Sequence, residues 1–327
     1  MRRRHLAGWR QVSEWTEGSP RVIEVAGLTK RYGRVLAVDD LSFRVEPGRV
    51  TGFLGPNGAG KSTTMRAIVG LDRPTGGTVR IDGHRYVDDR APLQHVGALL
   101  EAKSVHPGRS AHNHLLFLAQ SNGIPRKRVD EVLALVGLHE VTRRRTRTFS
   151  LGMGQRLGIA AALLGNPQVL LFDEPVNGLD PEGIIWVRTL LKALAAEGRA
   201  VLVSSHLMAE MALTAEHLVV IGRGRLIADT SVTDFVGQAK SRPVLVRTPD
   251  PVALKPVLVG HGADVAEEPD GGLLVRGMEA AEIGQAAHDS SVVLHELTPQ
   301  QASLEEAFME LTKDSVDYHA TVEGVQA

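Results

Sequence analysis

The chain has 327 residues, 43% of them hydrophobic and 23% charged, enough for one large globular domain and a small one. Lys and Arg number 37 against 38 Asp and Glu, a formal net charge of -1, so no global basic bias points to a nucleic-acid partner. Cysteine is absent, which excludes disulfides, thiolate metal sites and a cysteine nucleophile and fits a reducing compartment.

The basic start Met1-Arg2-Arg3-Arg4 is followed by no apolar stretch, so residues 1–20 read as a leader without chemistry, not as a signal peptide. Strands are expected at 22–25, 41–45, 50–54 and 78–81, where apolar and polar residues alternate. A glycine-rich turn and a helix over 62–69 follow the third of them. Residues from about 91 to 165 read as helical, with apolar spacings of three and four at 115–120, 129–136 and 155–164. The last of these is the longest apolar run, and it falls short of the roughly 18 residues a membrane-spanning helix needs. The continuous apolar run 169–172 is a strand buried on both faces. A helix over 183–197, a strand over 200–204 and a hairpin turning at 222–224 complete an α/β pattern with a mainly parallel sheet. From about 239 the order becomes β-α-β-β-α-β-α, with strands at 243–248, 264–267, 273–276 and 292–297 and helices at 252–259, 279–288 and 303–312. That order describes a small α+β unit over 239–313, with 314–327 as a tail.

Gly55-Pro56-Asn57-Gly58-Ala59-Gly60-Lys61-Ser62 fits G-x-x-x-x-G-K-[ST] in full, between an apolar strand and a helix. Glycines let the main chain turn its N–H groups around phosphate oxygens, and the helix presents its positive end to the anion. Lys61 reaches the β- and γ-phosphates of such a ligand, Ser62 ligates Mg²⁺, and Thr63 continues the cradle. Asp173 and Glu174 end the apolar strand 169–172 at the edge where α/β sheets bind ligands. Asp173 is placed to hold Mg²⁺ through water, and Glu174 to polarise an attacking water. Together the two motifs read as a nucleotide triphosphatase.

Four further segments narrow the class. Phe149-Ser150-Leu151-Gly152-Met153-Gly154-Gln155-Arg156 ends 17 residues before Asp173. It resembles the signature of ABC (ATP-binding cassette) ATPases, Leu-Ser-Gly-Gly-Gln followed by a basic residue and Gln-Arg. Asn177-Gly178-Leu179-Asp180-Pro181 resembles that family's D-loop. Ser204-Ser205-His206 resembles its switch histidine, and Tyr32 its adenine-stacking aromatic. The resemblance covers about residues 22–235 and implies an α/β P-loop cassette. Its parts are a parallel core sheet, an antiparallel β subdomain and a helical subdomain within 21–238, to which the small C-terminal α+β domain is added.

The resemblance also implies roles. ATP and Mg²⁺ are the cofactors. Glu174 and His206 act on the water, with Lys61 on the phosphates. Ser150 and Gly152 grip ATP held by a second ATPase subunit, and Asp180 links the two subunits. Tyr32 stacks on the purine, a contact worth about 1–3 kcal/mol by analogy with base–aromatic pairs. Without the family pattern, Ser150 is a helix N-cap and Tyr32 a loop tyrosine. The motor works on separate membrane permease subunits at the cytoplasmic face of the membrane.

Departures are Glu101, where most members carry a glutamine ligand to magnesium, and Leu151, Met153 and Gly154 in the signature. Glu101 brings negative charge near the phosphates, or else is a plain surface acid. These changes resemble a subgroup that includes bacitracin and lantibiotic exporters. Leu304-Glu305-Glu306-Ala307-Phe308-Met309-Glu310-Leu311 resembles the closing motif of ABC-2 drug and antibiotic exporters, or is a helix packed on its own small domain. The implied function is an ATPase powering export of a drug-, antibiotic- or lipid-like substrate. The alternatives are an importer ATPase and a soluble, non-transport ABC ATPase. The second cassette or coiled-coil insertion usual in the latter is missing. His106, His112 and His114 lack the carboxylate or helical spacing of a metal site and read as a solvated docking face. The basic run 143–147 reads as a solvated helix end or a contact for acidic lipid heads or a partner.

Overall fold

The computed structural model describes residues 22–101, 105–238, 242–300 and 302–313. The leader at 1–20 and the tail at 314–327 lie outside the described residues. A hairpin of β1 (Ile23–Tyr32) and β2 (Val35–Val45) comes first. β3 (Val50–Leu54) then runs through a tight loop into α1 (Lys61–Ile68), and β4 (Gly76–Ile81) returns to pair with β1. After β5 (Val96–Leu99) come three helices, α2 (Ala111–Ser121), α3 (Lys127–Leu135) and α4 (Leu151–Leu163). The chain continues as β6 (Val169–Asp173), α5 (Pro181–Ala196), β7 (Ala200–Ser204), α6 (Met208–Thr214), the hairpin β8 (His217–Gly222) and β9 (Arg225–Ser231), and α7 (Val232–Gly237). The remainder is β10 (Val244–Arg247), α8 (Pro251–Gly260), β11 (Asp264–Glu267), β12 (Leu273–Arg276), α9 (Ala280–Asp289), β13 (Glu296–Pro299) and α10 (Leu304–Thr312).

The main sheet has the order β5-β6-β7-β3-β8-β9, parallel except for the edge strand β9. β3 and β7 are buried along their whole length, Thr51 and Ser204 included, as strands covered on both faces are. The antiparallel sheet β2-β1-β4 lies against it, with the Phe43 and Phe53 rings stacked at 5.4 Å between centroids. A third sheet, β11-β12-β10-β13, is wholly antiparallel, and Val244, Val246, Leu254, Leu258 and Ile283 build its own apolar core with α8 and α9.

Several expectations change in the structure. The stretch from 91 to 165 is not helical throughout, because Val96–Leu99 is an edge strand paired with β6. β1 and β2 run well past their predicted ends. The polar residues Thr29, Lys30 and Arg31 hide the alternation, and register shifts between Val25 and Arg31 absorb them. The last strand starts at Glu296, not at 292. Ser291 takes a left-handed φ of 58°, and the Val292 N–H caps α9 through the Ala287 carbonyl at 2.9 Å.

The last helix does not pack on the small sheet's core. Leu304, Ala307 and Phe308, at helical spacing, join the core of the cassette and lie on α6 and α7. Ser303 and Glu306 close a capping box at its start, and Arg276 of β12 grips Glu306 at 2.6 Å. Phe308 is 6% exposed. Phe308→Ala is expected to cost about 3 kcal/mol or more in urea unfolding, the usual scale for a truncated core phenylalanine. Arg276→Ala, removing a half-exposed ion pair, is expected to cost less than about 1 kcal/mol.

Candidate functional site

The sheet order sets the chemistry. β3, β6 and β7 are neighbours, and Ser204 is paired with Phe53 on one side and Asp173 on the other. Their C-terminal ends therefore open at one edge, where α/β sheets gather ligands. There a cavity of about 360 Å³ is lined by residues 57–63 with Ala37, Leu100, Asp173 and Glu174.

One side of the cavity is the loop after β3. Gly60 has φ 102°, and a Cβ there would lie 2.6 Å from the Ala37 carbonyl oxygen, so no other residue fits. Ala59 donates to the Pro56 carbonyl at 3.1 Å, and Gly224 in the β8–β9 turn donates to the Ala59 carbonyl at 3.0 Å. These bonds fix the loop from outside. The first turn of α1 has N–H groups with no acceptor inside the helix, and it starts at Lys61, facing the cavity. Lys61 is 9% exposed, and its Nζ donates to the carbonyls of Gly55 and Pro56. Burial pushes its ammonium below the usual lysine range, while Glu174 and Asp173 push it back up.

The other side is acidic. The Ser204 hydroxyl donates to Asp173 Oδ1 and accepts the Glu174 N–H at 3.1 Å. Glu174 Oε2 lies 2.7 Å from His206 Nδ1 and accepts the His206 N–H at 3.3 Å. A cavity bounded by an ammonium, N–H groups and a helix N-terminus suits a polyphosphate. Ser62 and Asp173 add the hard oxygen donors that magnesium prefers.

Tyr32 closes β1 with its ring 45% exposed. Its hydroxyl donates to Asp72 Oδ2 at 2.7 Å, Arg66 donates to the same oxygen at 2.8 Å, and Lys30 Nζ sits 4.7 Å from the ring centroid. The Asp72 hydrogen bond raises the phenol above its ordinary range, and the Tyr32 and Arg66 hydrogen bonds hold the Asp72 carboxyl low. Glu101 follows the lining residue Leu100, is exposed, and lies in the field of Arg66.

Ser150, Gly152 and Asp180 line no part of this cavity. Ser150 caps α4, accepting the Met153 N–H at 3.2 Å, and Asp180 caps α5, accepting the Gly183 N–H at 3.1 Å. Within one chain, then, Lys61, Ser62, Asp173, Glu174 and His206 come together and the signature residues stand apart. His106 accepts the Gly108 N–H at 3.1 Å, His112 lies 3.7 Å from Asp130, and His114 is buried. Among the described residues, no group of three His, Asp or Glu is arranged to hold a metal.

Three residues escaped the sequence reading. Ser204 orients both acids, Asp72 fixes Tyr32, and buried Gln155 donates to the Glu174 carbonyl at 3.0 Å. Ser204 and Gln155 lay inside motifs already singled out, but their partners, a carboxylate and a main-chain oxygen, are distant in sequence.

Comparison with known proteins identifies the family. The family model "ABC transporter" matches residues 38–177, and a "Domain of unknown function (DUF8746)" matches 242–305. The bacitracin transport ATP-binding protein BcrA of Bacillus licheniformis is 41% identical over 211 residues, 64% of this chain and 69% of that protein. An uncharacterized ABC transporter ATP-binding protein of Bacillus subtilis, YdbJ, is 33% identical over 296 residues, 89% of this chain and 95% of that one. Among solved structures, an ATP-binding subunit of an ABC transporter superposes with a TM-score of 0.61 at 28% identity, covering 66% of this chain and 92% of that one. The dimeric MJ0796, a bacterial ABC transporter cassette, superposes with a TM-score of 0.59 at 24% identity over 64% of this chain and 98% of its own, a likeness of fold. With a glycine-rich loop, an acidic couple and a histidine at one sheet edge, and relatives of this kind along most of its length, the chain belongs to the ABC transporter family as an ATP-binding, ATP-hydrolysing subunit.

Proposed function

We propose that this subunit powers export of a drug-, antibiotic- or lipid-like substrate through separate membrane subunits, and that Lys61, Ser62, Asp173, Glu174 and His206 form its hydrolytic centre. The observation that carries the centre is the shared cavity of Lys61, Ser62, Asp173 and Glu174, with His206 on Glu174 at 2.7 Å. Residues 55–63 wrap the phosphates, Ser62 and Asp173 hold magnesium with Glu101 further out, and Glu174, steered by His206, polarises water for in-line attack. When bound, the metal neutralises charge on the phosphate oxygens. Tyr32 carries the adenine.

The signature residues Ser150 and Gly152, on an α4 outside this cavity, serve the ATP of a second copy placed head to tail, with Asp180 at the junction. Residues 21–238 act as the cassette and 239–313 as an accessory unit clasped to it by α10. The names of relatives support this reading: a bacitracin transport ATP-binding protein supports the antibiotic class, and a Nod factor export ATP-binding protein, 38% identical over 222 residues, supports export over import. No helix among the described residues is long and apolar enough to cross a membrane. Attachment at the cytoplasmic face runs through the permease.

The purified protein is expected to retain Mg-ATP below millimolar concentrations and to co-purify from membranes with a many-spanned protein. Failure to hold nucleotide at millimolar ATP overturns the site. Co-purification with ribosomes overturns the transport reading. Unchanged antibiotic susceptibility on deletion overturns the antibiotic as cargo. Tyr32→Ala is expected to weaken nucleotide binding about 5- to 150-fold through lost stacking. Tyr32→Phe keeps the ring, loses the hydroxyl's bonds to Asp72 and Thr63, and is expected to cost less than about 5-fold in a fluorescent-nucleotide titration.

A further inference from the structure

Glu174 is held in a backbone conformation it does not prefer. Its φ is 50°, in the left-handed region that residues with a Cβ rarely enter, and such residues persist only where their surroundings over-determine them. Three parts of the fold do so here. The Glu174 N–H donates to the Ser204 hydroxyl at 3.1 Å and the Ser204 carbonyl at 3.3 Å. Its carboxylate is held by His206 at 2.7 Å. Its carbonyl accepts the Asn177 N–H at 3.2 Å and, from a separate element, the Gln155 side-chain amide at 3.0 Å.

Gln155 lies on the buried face of α4, 3% exposed, in the second turn after Ser150. That same helix packs closely on the loop leading away from Glu174. A Cβ on Gly152 would meet the Gly178 carbonyl and the Leu179 side chain at 3.3 Å, and Leu151 covers Gly178. A displacement of α4 therefore reaches the main chain of Glu174 directly through the Gln155 amide, besides any push on the loop that follows.

We infer that Gln155 is a positioning residue, holding the strained Glu174 peptide in place so that the aim of its carboxylate follows the position of the signature helix. This rests on the reading of Glu174 as the water-polarising group. It gives the signature a second task. As α4 engages a nucleotide held by the opposite copy, it also sets the geometry of the acid in its own chain, so hydrolysis at one site senses occupancy of the other.

The test is steady-state ATPase and fluorescent-nucleotide binding of the full chain. Gln155→Leu, of similar size without the donor, is expected to lower kcat about 10- to 100-fold, as expected of a misplaced reacting group. Its KM and nucleotide affinity are expected to stay within about twofold, since uniform binding is untouched. Gln155→Glu supplies a readout that a purely structural role would not move. A neutral carboxyl can donate to the Glu174 carbonyl and an ionised one cannot, and burial raises its pKa. Its rate relative to the parent is therefore expected to climb as pH falls from 8 to 6, and this ratio decides the matter should Gln155→Leu not fold.

Parent kcat in Gln155→Leu, loss of nucleotide binding with its loss of rate, or a flat pH ratio in Gln155→Glu overturns the inference. Glu174→Gln separates the two readings. If it turns over at the parent rate, the role of Glu174 fails and this inference with it. If it stalls while Gln155→Leu runs normally, only this inference fails.

Discussion

Lys61→Met is expected to abolish measurable nucleotide binding and to lower ATP turnover by about 10²- to 10⁴-fold. The ammonium is almost wholly buried, and it donates to the Gly55 and Pro56 carbonyls at the floor of the loop. Each charge-assisted hydrogen bond to a phosphate oxygen contributes about 1.5–3 kcal/mol. Two such bonds, at 1.36 kcal/mol per tenfold, give the stated range. Methionine matches the buried stem without the charge, so the fold is expected to survive, and an unchanged thermal unfolding midpoint checks that. Turnover within tenfold of the parent would mean the loop after β3 is not the phosphate cradle.

The second large effect falls on the other side of the cavity. Glu174→Gln is expected to leave ATP affinity within about threefold of the parent and to cut turnover by about 10²- to 10⁴-fold, the scale of general base catalysis. The amide keeps the size of the side chain and can still meet His206, but it cannot polarise water as a carboxylate does. With hydrolysis blocked, ATP-loaded copies are expected to accumulate as a dimer, read by size-exclusion chromatography with and without ATP. The same experiment on Lys61→Met is expected to show monomer, because nucleotide never binds. The pair of outcomes separates binding from chemistry.

Most of the centre was legible because its chemistry is local in sequence. A phosphate loop needs glycines, a lysine and a hydroxyl in succession, and Asp173 and Glu174 end an apolar run of four residues. What brings these segments together was legible only in outline. That β7 lies between β3 and β6, placing Ser204 against Asp173, is a property of sheet order. β5 escaped because four residues at a sheet edge carry too little pattern to break a helical stretch. Val292 misled because its apolar side chain looked like strand while its main chain was committed to capping α9. Gln155 and Asp72 show the general limit. A side chain that serves a distant partner has a residue type that many roles share. The destination of α10 was likewise undecidable from its own amphipathic spacing, since the same apolar face fits either core.

That destination bears on how the chain is made. α10 is synthesised after the whole of the small sheet, yet Leu304, Ala307 and Phe308 complete the apolar cover of α6 and α7. On the ribosome the cassette must wait, with part of its interior wet, while the strands β10 to β13 emerge and fold. Only then does the returning helix seal the region just after His206. The apolar cover of the cassette is thus finished only by residues that follow the accessory sheet in the chain, which makes synthesis of residues 304–308 a condition for closing it.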